Sequence, residues 1–402
     1  MMVQILSAHT SETDNVEAAV TEILKQLDLE HRLLRHSAAL MYYYADFAQT
    51  GVVKSLCEKL PFPVLAGTTS NSAVPGSRED ITLTITVFTS DDCAFTAGIS
   101  GPLKTDIYKP LKKLHDSILE DKPEGMGDVP AMFFMITPYL PDVTGDDYLG
   151  VLNGISDNVP IFGSIAFTHA ADFQNIKTCF NGVEYDDALG LIAFWGTGKP
   201  KFFLSTIPEE QLLNHRAVIT DSYRNRIKRI NGVPVLEHLE SIGLAKDGKL
   251  EGIASFPLVL HMPDGTRLVR TIYGTEDGEL LCSGAVRANV SMEISFCDKD
   301  FVISSAQKTA AECAQWLEEN QEEGRFGGVL VISCAARRWT LGTDVYAEIH
   351  EVDTRLNKLP YHFAYARGEF CPIPGKTESG SGGSRDSFMN CFYNYSMCIC
   401  VL

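Results

Sequence analysis

The sequence predicts an α/β protein: mixed sheets flanked by helices, built from repeated helix-strand-helix-strand-hairpin units and arranged in two lobes. Helical and strand periodicities alternate along the whole chain. The order of elements returns after roughly 100 residues, a period too long for a solenoid and suited to paired lobes. Near the C-terminus, Gly327 to Ser333 is an unbroken apolar run of strand length, as expected for a strand covered on both faces.

Val16 to Leu27 carries apolar residues at helical spacing, with Thr13 and Asp14 as candidate caps and Glu17 in the first turn. Ala38 to Phe47 follows as a strand and Val52 to Leu60 as a helix that Pro61 ends. Phe62 to Ser70 is a short strand running into a small-residue loop. Ile81 to Thr89 and Cys93 to Ile99 then form a predicted hairpin through Ser90-Asp91-Asp92. The order repeats with a helix at Ile107 to Leu119, a strand at Val129 to Thr137, a helix at Asp146 to Ile155 and a strand at Val159 to Ala166. Lys177 to Phe180 follows, and Ala188 to Trp195 with Lys201 to Thr206 makes a second predicted hairpin.

Past Pro208 the pattern changes, so a boundary near Leu213 to Ala217 divides residues 1–215 from residues 216–402. Thr220 to Ile227 suits a strand or a helix start, Ile230 to Val233 a turn, and Val235 to Ile242 a helix closed by Gly243. Phe256 to His261, Arg267 to Tyr273 and Glu279 to Ser283, separated by Pro-Asp-Gly and Glu-Asp-Gly turns, predict a meander that Ser291 to Phe296 follows. A helix at Ile303 to Asn320, the strand from Gly327, a helix at Val345 to Leu356, a strand at Tyr361 to Ala366 and a final strand at Met389 to Leu402 echo the earlier units a third time. Gly375 to Asp386 has the composition of a loop, either a solvated connector or a cover for a crevice.

The 52 acidic and 34 basic residues leave a formal charge of −18, which argues against nucleic acid or an anionic membrane surface as a partner. The N-terminus lacks the pattern of a signal peptide, and no apolar stretch reaches the roughly 20 residues of a membrane span, so no membrane insertion and a cytoplasmic home are expected. An odd number of cysteines, 11, suits reduced thiols. Cys391, Cys398 and Cys400 lack a second ligand group at metal spacing, and core packing is expected of them instead of metal binding.

No G-x-S-x-G, H-E-x-x-H, C-x-x-C or strand-associated G-x-G-x-x-G occurs, and Gly375-Lys376-Thr377 lacks the first glycine of a phosphate loop, so no cofactor, metal or catalytic set is predicted. The sharper signal lies at two strand ends. Arg337 and Arg338 follow the strand that closes at Cys334, and Arg367-Gly368-Glu369 follows Tyr361 to Ala366. Open α/β sheets place ligand crevices at such ends. Arg337 and Glu369 could clamp the carboxylate and ammonium of an amino acid, or could simply pair with each other. Arg270, inside Leu268 to Ile272, is a second candidate clamp or a residue pointing into solvent. Cys334 is either a nucleophile activated by nearby arginines or a small residue closing a buried strand. The small-residue loops at Gly67-Thr68 and Gly163-Ser164 could admit ligand or backbone closely.

Leu268-Val269-Arg270-Thr271-Ile272 followed by Asp277-Gly278, the strand ending at Ser333-Cys334-Ala335-Ala336-Arg337-Arg338, and Gly368-Glu369-Phe370-Cys371-Pro372 resemble the C-terminal FIST domain. Val64 to Ser70, Ile161 to Ala166, Phe180-Asn181-Gly182 and Ala188-Leu189-Gly190 resemble the N-terminal FIST domain. The resemblance implies a signal-transduction sensor that binds a small-molecule ligand such as an amino acid and is often fused to an output domain. Two departures stand out. Gly163-Ser164 replaces a glycine pair, and Met389-Asn390 replaces His-Asn, so that Asn390 alone carries over. With no output domain after Leu402, either a stand-alone sensor or a separated input piece is expected, and a separate signalling output protein could be its partner. The competing expectations are a cysteine-dependent hydrolase or transferase using Cys334, and an interaction scaffold without a pocket.

Overall fold

The computed structural model describes residues 3–77, 79–156, 159–169, 175–196, 198–250, 252–320, 326–356, 359–374 and 388–402. The predicted loop at Gly375 to Asp386 lies outside them. The fold is mixed α/β, and three of its sheets share one plan. In the first, His36–Tyr43 and Val64–Thr68 run parallel and Leu83–Ser90 pairs antiparallel to the former. In the second, the same places are taken by Met132–Thr137, Ile161–Ile165 and Gly190–Trp195. In the third they are taken by Val329–Cys334, Tyr361–Ala366 and Met397–Val401. Each parallel pair is joined through a helix, Val52–Cys57, Gly145–Ile155 and Ala347–Leu356 respectively, as parallel strands require. The third echo expected from the sequence is therefore a complete structural repeat.

Strand alternation decides how these sheets pack. One face of each sends its apolar side chains into a shared centre, among them Leu40, Tyr42, Phe134, Ile136, Leu330 and Ile332. The opposite faces bury separately under helices: Val16–Leu27 over the first, Tyr108–Glu120 and Gly145–Ile155 over the second, Lys299–Glu319 and Ala347–Leu356 over the third. Among the described residues no helix is long and apolar enough to cross a membrane.

Both predicted hairpins are corrected. Ala94–Ile99 does not return onto Leu83–Ser90; it pairs with Gly190–Trp195 of the second sheet. Lys201–Leu204 likewise leaves its own sheet and pairs with Met397–Val401 of the third. Gln4–Thr10 fills the matching edge of the first. None of Ser90, Asp91 and Asp92 takes the positive φ that a tight two-residue hairpin needs. Ser90 Oγ instead accepts from Asp92 N and Cys93 N at 3.1 and 3.0 Å, turning the chain away. A second exchange occurs on the other side of each parallel pair. Ser72–Ala73 joins the third sheet, Thr178–Phe180 the first, and Glu369–Pro374 the second.

Smaller differences have local causes. The strand expected to reach Phe47 stops at Tyr43, and Asp46–Gln49 is helical. Asn15, not Thr13 or Asp14, caps the first helix, its side chain accepting from Ala18 N at 3.0 Å. The single final strand is two, Phe388–Tyr393 and Met397–Val401, in different sheets and separated by Tyr395 at φ 58°. Between the second and third units, the region of the expected meander is an antiparallel sheet around its own core whose strand order is not that of a meander: the single strand expected at Arg267 to Tyr273 is two, Arg267–Arg270 and Ile272–Glu276, at opposite ends of the sheet, and Val290–Ile294 lies between Leu258–His261 and Ala217–Tyr223. Thr220 lies in a strand, and Asn231-Gly232 forms the turn at φ 50° and 81°.

Candidate functional site: a cleft between the meander and the third sheet

Cys334 and Ala366 are register partners at the carboxyl ends of the parallel strands in the third sheet. Two things happen at that level. After Cys334 the chain turns directly into the helix Ala335–Leu341, and after Ala366 it crosses to the second sheet, where Ile165 N donates to Gly368 O at 3.1 Å. The meander packs over the gap. The resulting cleft is small, about 60 Å³, and partly open to solvent. Its walls include Phe167, Ile272, Tyr273, Cys334, Trp339 and Arg367.

Arg367 is 6% exposed, with its guanidinium carbon 4.0 Å from the ring centre of Tyr139 and 4.6 Å from that of Tyr273. The two rings come from different parts of the fold, Tyr139 from beyond Met132–Thr137 and Tyr273 from the meander strand Ile272–Glu276. Asn225 holds Tyr273 through a 3.2 Å bond to its hydroxyl while also donating to Cys282 O at 3.0 Å. Burial lowers the Arg367 pKa, and the neighbouring tyrosines and Cys334 oppose that only in part. Ring faces are good neighbours for a guanidinium but carry no full negative charge.

Arg337 does not share this cleft. The residues that follow Cys334 form a helix, so Arg337 points inward and is 0% exposed. Its Nε and Nη2 donate to Glu348 Oε1 at 2.9 and 2.7 Å, and Nη2 also reaches Ser305 Oγ and Val302 O at 3.0 and 3.1 Å. Glu348 Oε2 accepts from Ser333 Oγ and Tyr365 OH at 3.0 and 3.1 Å. The expected meeting of Arg337 with Glu369 is replaced by this pair.

Glu369 lies behind the cleft wall, 0% exposed, accepting from Ser396 Oγ at 2.7 Å and Ser396 N at 3.4 Å. Burial pushes its carboxyl up to about 8 despite those bonds and the nearby Cys334. Cys334 does line the cleft, but burial first, and Glu369 second, hold its thiol well above the ordinary value. A thiol held protonated is a poor nucleophile, and no histidine stands among the described lining residues.

The other candidate residues are built into the framework. Arg270, 1% exposed, neither points into solvent nor lines the cleft; it bonds to Asp146 Oδ1 at 2.7 Å, Phe392 O at 3.1 Å and Ala285 O at 2.9 Å, pinning the meander to the second unit. Asn390 accepts from Ile161 N at 2.8 Å and donates to Val159 O and Asn153 Oδ1 at 2.9 Å. Gly67, Thr68, Gly163 and Ser164 lie within strands, not loops. Thr68 Oγ1 contacts the Lys177 backbone and Ser164 Oγ lies 2.6 Å from Tyr42 OH. At Gly163, φ is 153° and a Cβ would sit 1.9 Å from Met135 O, so what approaches closely is the neighbouring strand. Cys391, Cys398 and Cys400 pack in the shared core.

The repeat supplies an internal comparison. Tyr43 with Thr68, Thr137 with Ile165, and Ser333 with Tyr365 are register partners at one level. Two residues beyond the second member stand Ser70, Phe167 and Arg367. Ser72, Thr178 and Glu369 occupy the matching place on the exchanged strands, opposite Ala364, Gly67 and Ser164. Two corners carry neutral groups, and the third carries an arginine and a carboxyl.

A family model for the FIST N domain matches residues 37–233, and one for the FIST C domain matches residues 235–372. The chain belongs to the FIST family. FIST domains are sensor domains of signal transduction. A search of curated proteins found no match. In this FIST protein the cleft residues Cys334, Trp339 and Arg367 fall inside the matched C domain, whereas Tyr139 and Phe167 fall inside the matched N domain. Arg367 stood in the sequence at a strand break, the signal that could have found it. Tyr139 and Tyr273 carried none, because their role depends on two separate units meeting.

Proposed function

We propose that this FIST protein is a non-catalytic sensory input protein that takes a small metabolite into the cleft with an anionic group, a carboxylate above all, on Arg367. The observation that supports it most is the guanidinium in the cleft wall, its carbon 4.0 and 4.6 Å from the ring centres of Tyr139 and Tyr273. A planar fork kept in one orientation is prepared for bidentate carboxylate binding, since little side-chain freedom remains to be lost. Binding here would bridge the meander and the third sheet, so that occupancy changes how firmly the two are held together. A separate signalling output protein would then respond to that change. The chain's 11 cysteines are all unpaired and buried, which suits a reducing cytoplasm. The reading needs no metal or cofactor.

A panel of small carboxylates, amino acids included, should contain members that raise the melting temperature of the wild-type protein. Arg367→Met, confirmed as folded by circular dichroism, should show no such rise. A flat response across the panel, or a response that persists in Arg367→Met, rejects the reading. Slow labelling of native protein by iodoacetamide near neutral pH is expected from the protonated Cys334 thiol.

A further inference from the structure

On one side the first sheet ends at Gln4–Thr10, whose strand partner among the described residues is Leu83–Ser90. In an antiparallel ladder every second residue turns its N–H and C=O away from the partner strand. His9 is one of these, because its N–H donates to Gln26 Oε1 at 3.0 Å and its C=O accepts from Gln26 Nε2 at 2.8 Å. The register runs without a shift, so Ser7 and Ile5 face the same way. At the far end Gly327 packs so closely on Val3 that a Cβ there would lie 1.7 Å from Val3 O. Between these two closures, no hydrogen bond to the backbone of Ile5 or Ser7 occurs among the described residues outside the ladder.

Beside this edge runs a groove of about 420 Å³, open to solvent, against about 60 Å³ for the cleft at Arg367. Its two sides differ. Ile5 points toward the third unit, where a Cβ on Gly328 would lie 2.6 Å from Ile5 Cδ1, and the wall there carries Phe326 and Pro360. Leu6 points the opposite way, into the cluster against which Leu29 and Leu33 pack, so Arg32 lines the other side.

We propose that this edge receives an extended segment of a partner protein as an added antiparallel strand. Ile5 and Ser7 present two donors and two acceptors at strand spacing, and antiparallel pairing is the more stable sense per residue. Alternation then dictates the segment. Residues opposite Ser7 and Ile5 place their side chains on the apolar wall, and the next residue toward the C-terminus, opposite Gln4, places its own on the Arg32 side. The guest therefore reads apolar, any residue, apolar, acidic, with the last carboxylate on Arg32. Nothing in this inference depends on Arg367 or on what the cleft binds.

The test uses the full-length chain and the capped peptide acetyl-Thr-Val-Thr-Val-Glu-Thr-amide, whose blocked ends leave the Glu side chain as its charge. In the free protein the amides of Ile5 and Ser7 should exchange with solvent roughly 100-fold faster than those of Leu6 and Ala8, read by NMR. Peptide at about ten times its Kd should slow the Ile5 and Ser7 amides roughly tenfold. N-methylation of the two valines, whose N–H groups would face the Ile5 and Ser7 carbonyls, should abolish binding. A peptide with Gln in place of Glu should bind about 5-fold more weakly, the scale of an exposed ion pair, and Arg32→Met should erase that difference. Ile5 and Ser7 amides already protected in the free monomer overturn the proposal, because the edge is then filled. Binding that survives N-methylation, or no peptide binding at all, overturns it too. Protection that appears only with dimerisation in sedimentation assigns the edge to a second copy instead. Equal affinity for the Glu and Gln peptides overturns the acidic position.

Discussion

Arg337 and Arg367 stand near the ends of adjacent strands in one sheet, both buried, and the protein treats them in opposite ways. Burial pulls the Arg337 guanidinium down, but the charge and hydrogen bonds of Glu348 outweigh it and the net shift is upward. At Arg367 the same pull is not outweighed, and the net shift is downward. The first arginine is a finished internal strut. The second is packed against the ring faces of Tyr139 and Tyr273. Burial alone thus says little about whether a charged residue serves the fold or a ligand; what compensates the charge says more.

The comparison breaks most visibly at Glu348. Glu348→Gln leaves Arg337 enclosed without a counter-charge and should lower the unfolding free energy by about 3–5 kcal/mol in denaturant titrations. The double variant Arg337→Met with Glu348→Leu should recover much of that loss, because it removes both charges together. Arg367→Met should move stability by no more than about 1 kcal/mol, while ligand affinity falls by roughly 2 kcal/mol, the scale of a hydrogen bond to a charged group. If both arginine sites lose equal stability, the distinction between them fails.

A finer contrast separates the two carboxyls. The Glu369 carboxyl is raised from 4.5 to about 8 in the folded protein. The folded state then holds its proton longer than the unfolded state, so this contribution is fully present below 4.5 and is lost as pH rises toward 8. The slope is about 1.4 kcal/mol per pH unit at most. Glu369→Gln should flatten this part of the stability profile, and an unaltered profile would show that the carboxyl ionises elsewhere.

Much of the fold was legible because helix and strand periodicities are local. Val16–Leu27 and Tyr361–Ala366 have the bounds expected from the sequence. Pairing was not legible. Ala94–Ile99 has the alternation of a strand, but nothing in its residues says that its partner lies at Gly190–Trp195 and not across the adjacent turn. The candidate site was half legible for a related reason. Cys334 and the break at Arg367 mark the correct strand ends. The choice of Arg337 over Arg367 turned on whether the chain leaves Cys334 as a loop or as a helix, and three helical residues suffice to carry a side chain from a strand end into the interior.

The traded strands bear on how such a chain can be made. The second sheet has no Glu369–Pro374 or Phe388–Tyr393 until the parallel strands of the third unit have been synthesised, while Ser72–Ala73 and Lys201–Leu204 emerge long before the sheet they complete. Early segments must wait with unsatisfied backbone edges, the condition under which nascent chains aggregate or recruit chaperones. Completion of all three sheets therefore waits for Met397–Val401, and no product truncated before it should accumulate as a stable fragment.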